Sequence, residues 1–162
     1  MTDPFDPVAD PRAFRIALGR FATGVTLVTV ATPEGPVGFA ANSFASVSLD
    51  PPLVLWSPAR SSGRFHHFAE APHYAIHVLT ADQAAWLPRF SRGGEGFTGL
   101  PFEANPEGVP VLPGTLARFD CARHAGHDGG DHLIIVGRVL RAAMAEGAPL
   151  VFSLGRYGGF AG

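Results

Sequence analysis

The sequence predicts a mainly β fold, an antiparallel barrel with a few short helices, on the strength of three observations. Short apolar runs rich in β-branched residues follow one another at hairpin-like spacing. The 20 glycines and 15 prolines among 162 residues supply many turns. Only three segments are predicted to be helices. A chain of this length buries one core, so a single domain is expected over residues 10–162, after a flexible N-terminal arm at residues 1–9.

The first quarter of the chain predicts a helix followed by a hairpin. Asp10 is a suitable N-cap, Pro11 suits the first helical position, and apolar residues recur on one face until Gly24 ends the helix. We interpret this helix as a lid over one end of the barrel. The β-branched run 25–30 is a strand, and a Thr-Pro-Glu-Gly turn after it predicts that residues 37–42 pair back antiparallel.

The rest of the chain alternates short strands with two further short helices. Residues 53–56 are apolar without alternation, so we expect a strand buried on both faces. Thr80 and Gln83 match a capping box at the start of a helix. The composition of residues 91–99 predicts a mobile glycine-rich loop. The prolines of residues 98–113 exclude a central strand there. Besides 53–56, strands are predicted at residues 74–79, 115–123, 132–143 and 149–154, and helices at residues 65–69 and 80–90.

Charge and composition exclude several classes of partner. A formal net charge of −2 with scattered cationic residues provides no basic surface for nucleic acid. The acidic, proline-rich N-terminus does not resemble a secretion signal, and no apolar run approaches the roughly 20 residues of a membrane span. With one cysteine, Cys121, these features predict a cytoplasmic protein that binds neither nucleic acid nor membrane. Thirteen phenylalanines leave much aromatic surface to cover, which indicates a homo-oligomer.

The segment 38–52 departs from ordinary strand character. Ala40 and Ala41 lead into an amide and several hydroxyls, and an Asp-Pro-Pro turn ends the segment. Such short side chains let a ligand approach the main chain closely and offer adaptable hydrogen bonds. This suits a flat, polar-edged ligand with an anionic tail. The same residue types also make ordinary serine-rich loops, so both interpretations stay open on residue types alone.

A second segment, residues 57–64, has an arginine among hydroxyls just before the helix predicted at residues 65–69. The guanidinium of Arg60 and the unpaired N–H groups of a helix start can converge on an anion. The alternative is that Ser61 or Ser62 simply caps the helix, and the two roles are compatible.

Three histidines and two aspartates lie within residues 124–132. Their spacing is irregular and the other histidines fall on different elements, so we assign no metal ligands. Two consecutive glycines flanked by acids predict a tight turn just before His132.

In their order and spacing these segments resemble the flavin reductase family with the FMN-binding split barrel. Residues 38–53 follow the family signature G-x-T-A-N-S-F-x-S-V-S-L-D-P-P-L, except that Ala40 stands where the family commonly has threonine. The Gly-Asp-His triplet that ends at His132 resembles the family's G-D-H-x-x-x-x-G-x-V motif. The similarities extend from about residue 20 to Tyr157.

The resemblance implies an antiparallel Greek-key split β-barrel and an NAD(P)H-dependent flavin reductase, the small component of a two-component monooxygenase. Such proteins are typically homodimers that reduce FMN or FAD with NADH or NADPH and release the reduced flavin to a separate oxygenase by diffusion. The catalytic residue would be His132, which would orient the nicotinamide. The implied cofactor-binding residues are Phe39, Ala40, Ala41, Asn42, Ser43, Ser46, Val47, Ser48, Ala59, Arg60, Ser61, Ser62, Phe90, Asp131, His132 and Tyr157.

Other functions are compatible with the same fold. Split barrels also serve as flavin- or haem-binding proteins without turnover and as pyridoxamine phosphate oxidase-like enzymes. Visible absorbance of the purified protein separates flavin from haem, and elemental analysis tests for a metal bound to the histidine-rich segment.

Overall fold

The computed structural model describes residues 3–91 and 96–160 and confirms the mainly β prediction. Within these residues the strands are β1 (Thr23–Gly24), β2 (Thr26–Thr32), β3 (Gly35–Ala41), β4 (Ala45–Leu49), β5 (Pro52–Trp56), β6 (His73–Val78), β7 (Glu103–Ala104), β8 (Pro110–Val111), β9 (Ala117–Gly129), β10 (His132–Met144), β11 (Leu150–Ser153) and β12 (Arg156–Gly159). The helices are α1 (Pro11–Leu18), α2 (Phe65–Ala69) and one 3-10 helix (Ala81–Phe90).

One antiparallel sheet of seven strands dominates the fold, in the order β3-β2-β6-β9-β10-β5-β4. Its two edge strands, β3 and β4, are joined by residues 42–44 alone, and four steps of extended chain span at most about 14 Å. The edges of a flat seven-stranded sheet would lie about 29 Å apart, so the sheet must curve until its edges approach. The result is an open barrel. A smaller sheet, β1-β11-β12, lies beside it.

Three apolar clusters form the core, two large ones and a small one of Ala75, Val109 and Val111. The first gathers Trp56, Phe68 and Tyr74 with the inward side chains of the large sheet, and the second packs against the 3-10 helix. Strand β2 contributes to both, because Leu27 belongs to the second cluster and Val28 to the first. Successive side chains of a strand point to opposite faces, so β2 is buried on both sides, and so is β6, in which Tyr74, Ala75, Ile76 and His77 are all buried.

Burial on both faces was predicted instead for residues 53–56, and this prediction is wrong. In β5 the side chains of Val54 and Trp56 are buried, whereas those of Leu53 and Leu55 are only half-buried. The pattern is the alternation of a strand with one covered face. An apolar sequence alone does not distinguish the two cases, because apolar side chains tolerate partial exposure.

Helix α1 begins as predicted and ends early. The Asp10 carboxylate accepts a hydrogen bond from the Ala13 N–H at 2.9 Å, and Pro11 is the first helical residue. The helix ends at Leu18, six residues before the predicted end, because residues 23–24 pair with β11 as β1. No residue of α1 is buried, so the helix does not pack on the barrel as a lid.

The two other helix starts give opposite outcomes. The Gln83 side chain accepts the Thr80 N–H at 3.0 Å, which confirms the predicted capping box. Capping of α2 by Ser61 or Ser62 is wrong, because the N-cap position is Arg64 and has no side-chain cap.

Strands β9 and β10 form a ribbon of 13 residues each, longer than predicted. Residues 124–129, expected in a loop, continue β9, and the reversal is confined to Gly130 and Asp131. Gly130 has φ +74°, a conformation that favours glycine. Ladder hydrogen bonds to β10 override the weak strand preference of the histidine-rich sequence.

The remaining differences lie in glycine-rich and proline-rich regions. β12 was not predicted, since glycines weaken the strand signal of residues 156–159. Within residues 98–113 the strands are two-residue pieces, as the prolines predict. The predicted mobile loop at residues 91–99 includes residues 92–95, which lie outside the described residues. Within the described part of the chain, no helix is long and apolar enough to cross a membrane.

Candidate functional site

The end of β3 opens into a small pocket, which we call the Asn42 pocket. Its volume is about 130 Å³, and one wall is the predicted segment while the other comes from β11, β12 and the residue before β2. The Thr26 hydroxyl donates to the Ala41 carbonyl at 2.8 Å and so fixes the end of β3 against β2. The structure therefore brings four predicted residues to one cavity and adds two that were not predicted; together they are Ala40, Ala41, Asn42, Tyr157, Val25 and Phe152.

Phe152 has a sequence signal that could have identified it. It lies in the Pro-Leu-Val-Phe run of residues 149–152, inside the stretch from about residue 20 to Tyr157 over which the family similarities extend, and its ring is 5.1 Å from the ring of Tyr157. The Tyr157 side chain remains 56% exposed, so one wall of the pocket is free to contact a ligand. Ala40 provides no hydroxyl, and the contacts it can make are those of its main chain and methyl group.

The turn after β3 is tied to the end of β5. The Ser43 hydroxyl donates to the Ser57 carbonyl at 3.2 Å and accepts from the Ser57 N–H at 2.9 Å. This side chain is therefore engaged in holding β3 and β5 together, and it connects the Asn42 pocket to the chain that follows β5.

The segment that follows β5, residues 57–60, lies against the β9–β10 turn. Ala59 pairs with His132 as an isolated bridge, the Arg60 N–H donates to the Asp131 carbonyl at 2.9 Å, and the Leu133 N–H donates to the Pro58 carbonyl at 3.1 Å. Two predicted parts of the site, residues 59–60 and the Asp131-His132 pair, are thus in direct contact although about 70 residues separate them in sequence.

The guanidinium of Arg60 is held on this turn. Its Nη2 lies 2.8 Å from Asp128 Oδ1, and its Nε donates to the Gly130 carbonyl at 3.1 Å. The side chains of the ion pair are 41% and 81% exposed, and exposed pairs of this kind contribute little to stability. A phosphate can therefore compete with the Asp128 carboxylate at small cost.

The imidazole of His132 is oriented by its neighbour. Nδ1 lies 2.7 Å from Asp131 Oδ1, and this hydrogen bond lowers the pKa of the Asp131 carboxyl. An Nδ1–H bonded to a carboxylate leaves Nε2 as the ring nitrogen without this partner. The side chain is 43% exposed, so part of the imidazole is accessible to a ligand. Asp131, which is among the predicted cofactor-binding residues, positions the histidine.

The remaining predicted residues are not all brought to the same place. Ser46 pairs with Val54 and Ser48 with Leu53, at the half of β5 that is remote from Ala59. They lie with Val47 on the edge strand β4, where a bulge interrupts the pairing. The Ser62 hydroxyl accepts the Arg64 N–H at 3.3 Å, and Ser61 is exposed in the same turn.

Phe39 and Phe90 are core residues beside the site. The Phe39 ring packs edge-on against Trp56 and Phe68, at 5.6 Å between centroids in both cases. The Phe90 ring is buried, and a Cβ on Gly38 would lie only 2.5 Å from it, which accounts for glycine at the first signature position. The sequence did not predict Arg64, whose guanidinium donates to the carbonyls of Gly38 and Phe90.

Within the described residues, neither the cysteine nor any group of acidic and histidine side chains forms a second centre. Cys121 is buried between strands, and burial raises its pKa to about 12, so it is neither a nucleophile nor a ligand at neutral pH. Among residues 3–91 and 96–160, no three histidine, cysteine, aspartate or glutamate side chains are arranged to hold a metal ion.

Comparison with known proteins identifies the family. Residues 18–161 match the flavin reductase like domain. The chain is 65% identical to the FMN reductase (NADH) SmoA of Agrobacterium fabrum over 92% of its length and 86% of that protein. It is 42% identical to the reductase subunit HsaB of a flavin-dependent monooxygenase from Rhodococcus jostii, over 93% of this chain and 78% of that protein.

A solved structure supports the same assignment. The NADH:FAD oxidoreductase SgcE6 of Streptomyces globisporus, in complex with NAD and FAD fragments, superposes with a TM-score of 0.90 at 36% identity, and covers 99% of this chain and 98% of its own. The signature segment, the Gly-Asp-His turn and the open antiparallel barrel all agree with this match. The chain belongs to the flavin reductase family.

Proposed function

We propose that this protein is an NAD(P)H:flavin oxidoreductase that transfers a hydride from NADH or NADPH to FMN or FAD. The observation that carries the proposal is the convergence of the signature residues Ala40, Ala41 and Asn42 with Tyr157 on one pocket. The 65% identity to an FMN reductase (NADH) supports it. The two cofactors supply the chemistry, hydride passing from the nicotinamide C4 to the flavin N5, and the protein binds and orients them.

The Asn42 pocket fits the edge of a flat ring system. Small side chains and main chain form one wall, and the rings of Phe152 and Tyr157 form another. The main-chain N–H groups of residues 41–43 bind the pyrimidine edge of the flavin, where negative charge accumulates on reduction. The exposed edge strand β4, with its two serines, forms the outer wall of the flavin site.

The flavin phosphate binds at Arg60, with Ser61 beside it. The guanidinium is exposed and held in place by the β9–β10 turn, and its ion pair with Asp128 is weak enough to exchange for a phosphate. The Ser43–Ser57 hydrogen bonds support one continuous site, because they link the Asn42 pocket to the chain that contains Arg60.

His132 orients the nicotinamide. Asp131 fixes the ring by accepting from Nδ1, so Nε2 is free to accept a hydrogen bond from the carboxamide N–H of the nicotinamide. No protein proton is needed for hydride transfer itself, and the contribution of the residue is therefore geometric.

Anaerobic stopped-flow mixing tests the function. The protein is mixed with FMN or FAD and with NADH or NADPH, and bleaching of the flavin absorbance is followed. Rapid bleaching that depends on the protein is expected for at least one pair, and its absence for all four pairs would leave a flavin-binding protein without turnover. The same mixtures rank the two flavins and the two nicotinamides.

We further propose an assembly and a location for the protein. The reduced flavin passes by diffusion to a separate oxygenase component, as the reductase subunits among the relatives suggest. The protein acts as a homodimer in the cytoplasm, where NADH is available and a lone thiol such as Cys121 stays reduced. Exposed apolar side chains on α1 support the dimer.

A further inference from the structure

The carboxylate of Asp128 occupies the guanidinium to which we assign the flavin phosphate. Its Oδ1 lies 2.8 Å from Arg60 Nη2, and the proposed function gives this carboxylate no role of its own. Two roles are compatible with the ion pair. Asp128 either holds Arg60 in position for the phosphate, or it competes with the phosphate for the same cation. The two roles predict opposite effects on phosphate binding when the carboxylate is removed.

Arg60 is held in place by contacts other than the ion pair. Its main-chain N–H donates to the Asp131 carbonyl at 2.9 Å, and its Nε donates to the Gly130 carbonyl at 3.1 Å. The guanidinium also lies 5.7 Å from the centre of the Phe65 ring on α2. None of these partners is charged, and none is lost when the Asp128 carboxylate is removed. The carboxylate is therefore not required to position the guanidinium.

The Asp128 side chain, in contrast, is free to leave. Its main chain is fixed, because Asp128 pairs with Leu133 near the end of the β9–β10 ribbon. The side chain is 81% exposed, and among the described residues its carboxylate forms a hydrogen bond with Arg60 alone. It can therefore turn into water without losing a buried contact, and it remains close enough to return to the cation.

A phosphate that binds Arg60 meets this carboxylate in either of two arrangements. Of the five N–H donors of the guanidinium, one on Nε is bonded to the Gly130 carbonyl and one on Nη2 to Asp128. A phosphate that takes the Nη2 donor from Asp128 displaces the carboxylate. A phosphate on the Nη1 side leaves a like charge beside it, which is repulsive. Both arrangements weaken binding of the phosphate, and neither concerns the flavin ring.

We propose that Asp128 is a specificity-determining residue, which competes with the flavin phosphate for Arg60 and so limits the preference of this protein for phosphorylated flavins. The inference rests on the proposed function, because that function assigns the phosphate to Arg60. Reduction of the flavin does not alter its phosphate, so the competition acts on the reduced product as well as on the substrate. Asp128 therefore favours the release of reduced FMN.

The principal variant is Asp128→Asn, which removes the charge and keeps the size of the side chain. Fluorescence titration with oxidised FMN should give a dissociation constant about two- to fivefold lower than that of the wild type, the size expected for an exposed ion pair. Riboflavin, which has no phosphate, should bind both proteins equally. Asp128→Glu, which keeps the charge, should bind FMN as the wild type does.

Two controls separate the ion pair from the overall charge of the protein. Glu103→Gln removes an equal charge from an exposed position on β7, and it should leave FMN affinity unchanged. In the Arg60→Ala background, Asp128→Asn should lose most of its effect, because the cation for which the two anions compete is absent. Equal tightening by Glu103→Gln, or an undiminished effect in the Arg60→Ala background, would overturn the proposal.

Unchanged or weaker FMN binding in Asp128→Asn would also overturn the proposal, and weaker binding would show that the carboxylate orients Arg60. Equal tightening of riboflavin would overturn it as well, because the effect would not involve the phosphate. These failures are distinct from failure of the proposed function, because wild-type protein would still bleach FMN with a nicotinamide. Absence of bleaching would contradict the proposed function, whereas the binding measurements, which need no turnover, would still decide the competition.

Discussion

Arg60 and Arg64 are four residues apart and have different surroundings. Arg60 is exposed, ion-paired with Asp128 and free to exchange that partner, whereas Arg64 is half-buried and bonded to main-chain carbonyls. The sequence indicated an anion site in this segment from its residue types. It could not identify the second arginine, because the carbonyls of Gly38 and Phe90 approach Arg64 only in the folded chain.

The role of Arg60 is tested by comparing flavins with and without a phosphate. Arg60→Ala should weaken FMN binding about ten- to a hundredfold, since a charge-assisted contact contributes about 1.5–3 kcal/mol. Riboflavin, which lacks the phosphate, should bind wild type and variant equally, as measured by fluorescence titration. Equal FMN affinity in the two proteins would move the phosphate elsewhere.

The role of His132 is tested by separating flavin binding from hydride transfer. His132→Ala should leave the affinity for oxidised flavin nearly unchanged and reduce kcat/KM for NADH about 10- to 100-fold, because the orienting hydrogen bond is lost. Asp131→Asn should act in the same direction with smaller effect, since it loosens the imidazole. His124→Ala and His127→Ala, on exposed parts of β9, serve as controls. Wild-type hydride transfer in His132→Ala would exclude the assignment, and loss of flavin binding would make the residue a flavin ligand.

At the scale of elements, a buried histidine joins three parts of the chain. His77 on β6 contacts the Leu27 carbonyl of β2 through Nδ1 at 3.0 Å and accepts the Leu112 N–H through Nε2 at 3.1 Å. This arrangement requires the neutral ring with the proton on Nδ1. Desolvation by complete burial lowers the pKa of His77 to about 4, with Leu27, Arg118 and Asp120 as lesser influences.

The stability of the fold should therefore fall in acid. The unfolded chain binds a proton at His77 below its ordinary pKa of about 6.5, and the folded chain does so only below about 4. The stabilisation is present above the higher value and is lost as the pH falls through the lower one. Between about pH 7.5 and about pH 5 this histidine should remove about 2 kcal/mol from the free energy of unfolding.

Urea unfolding at the two pH values measures this loss. His77→Leu should be less stable at neutral pH, because the Leu112 N–H loses its acceptor, and should lose less stability on acidification than wild type does. His124→Gln, which changes an exposed histidine, should retain the wild-type acid dependence. An identical acid dependence in His77→Leu would assign the effect to other groups.

Elements with strong local signals were predicted, and those that depend on distant partners were not. The β2–β3 hairpin follows from β-branched residues and a turn, and the capping box at Thr80 is a local pattern. β1 and β12 form only because β11 lies between them, so two-residue and glycine-rich segments became strands without a signal of their own. The extension of β9 past Arg123 likewise depends on a partner strand, in this case β10.

At the scale of the whole molecule, the family resemblance predicted the barrel and much of the site. Residue types alone predicted an antiparallel barrel, and the signature added its open form and the cofactor class. Neither predicted which residues would meet: Val25 and Phe152 join the Asn42 pocket through the small sheet, and Ser46 is held apart from Arg60 by the β4–β5 register. Such proximity depends on tertiary packing, which spacing along the chain does not encode.

The exposed apolar residues of the single chain provide a test of the predicted homodimer. Helix α1 has no buried residue, and its Phe14, Ile16 and Leu18 side chains are 45%, 52% and 59% exposed. Its C-terminal end is anchored, because the Leu154 N–H donates to the Gly19 carbonyl at 2.8 Å. Phe14 and Leu18 are four residues apart and share one face of α1, whereas Ile16 lies on the other side. Exposed apolar side chains of this kind favour an interface between proteins, and we propose a second copy of the chain as the partner.

Light scattering during size-exclusion chromatography should therefore give the mass of two chains for the wild type. The double variant Phe14→Glu with Leu18→Glu should give one chain, because two carboxylates would otherwise be buried unpaired at the interface. Ala85→Glu, which adds a carboxylate to an exposed position on the 3-10 helix, should remain dimeric. A monomeric wild type at micromolar concentration would contradict the homodimer. A dimeric double variant would assign the interface to another surface and leave the apolar face of α1 for the oxygenase component.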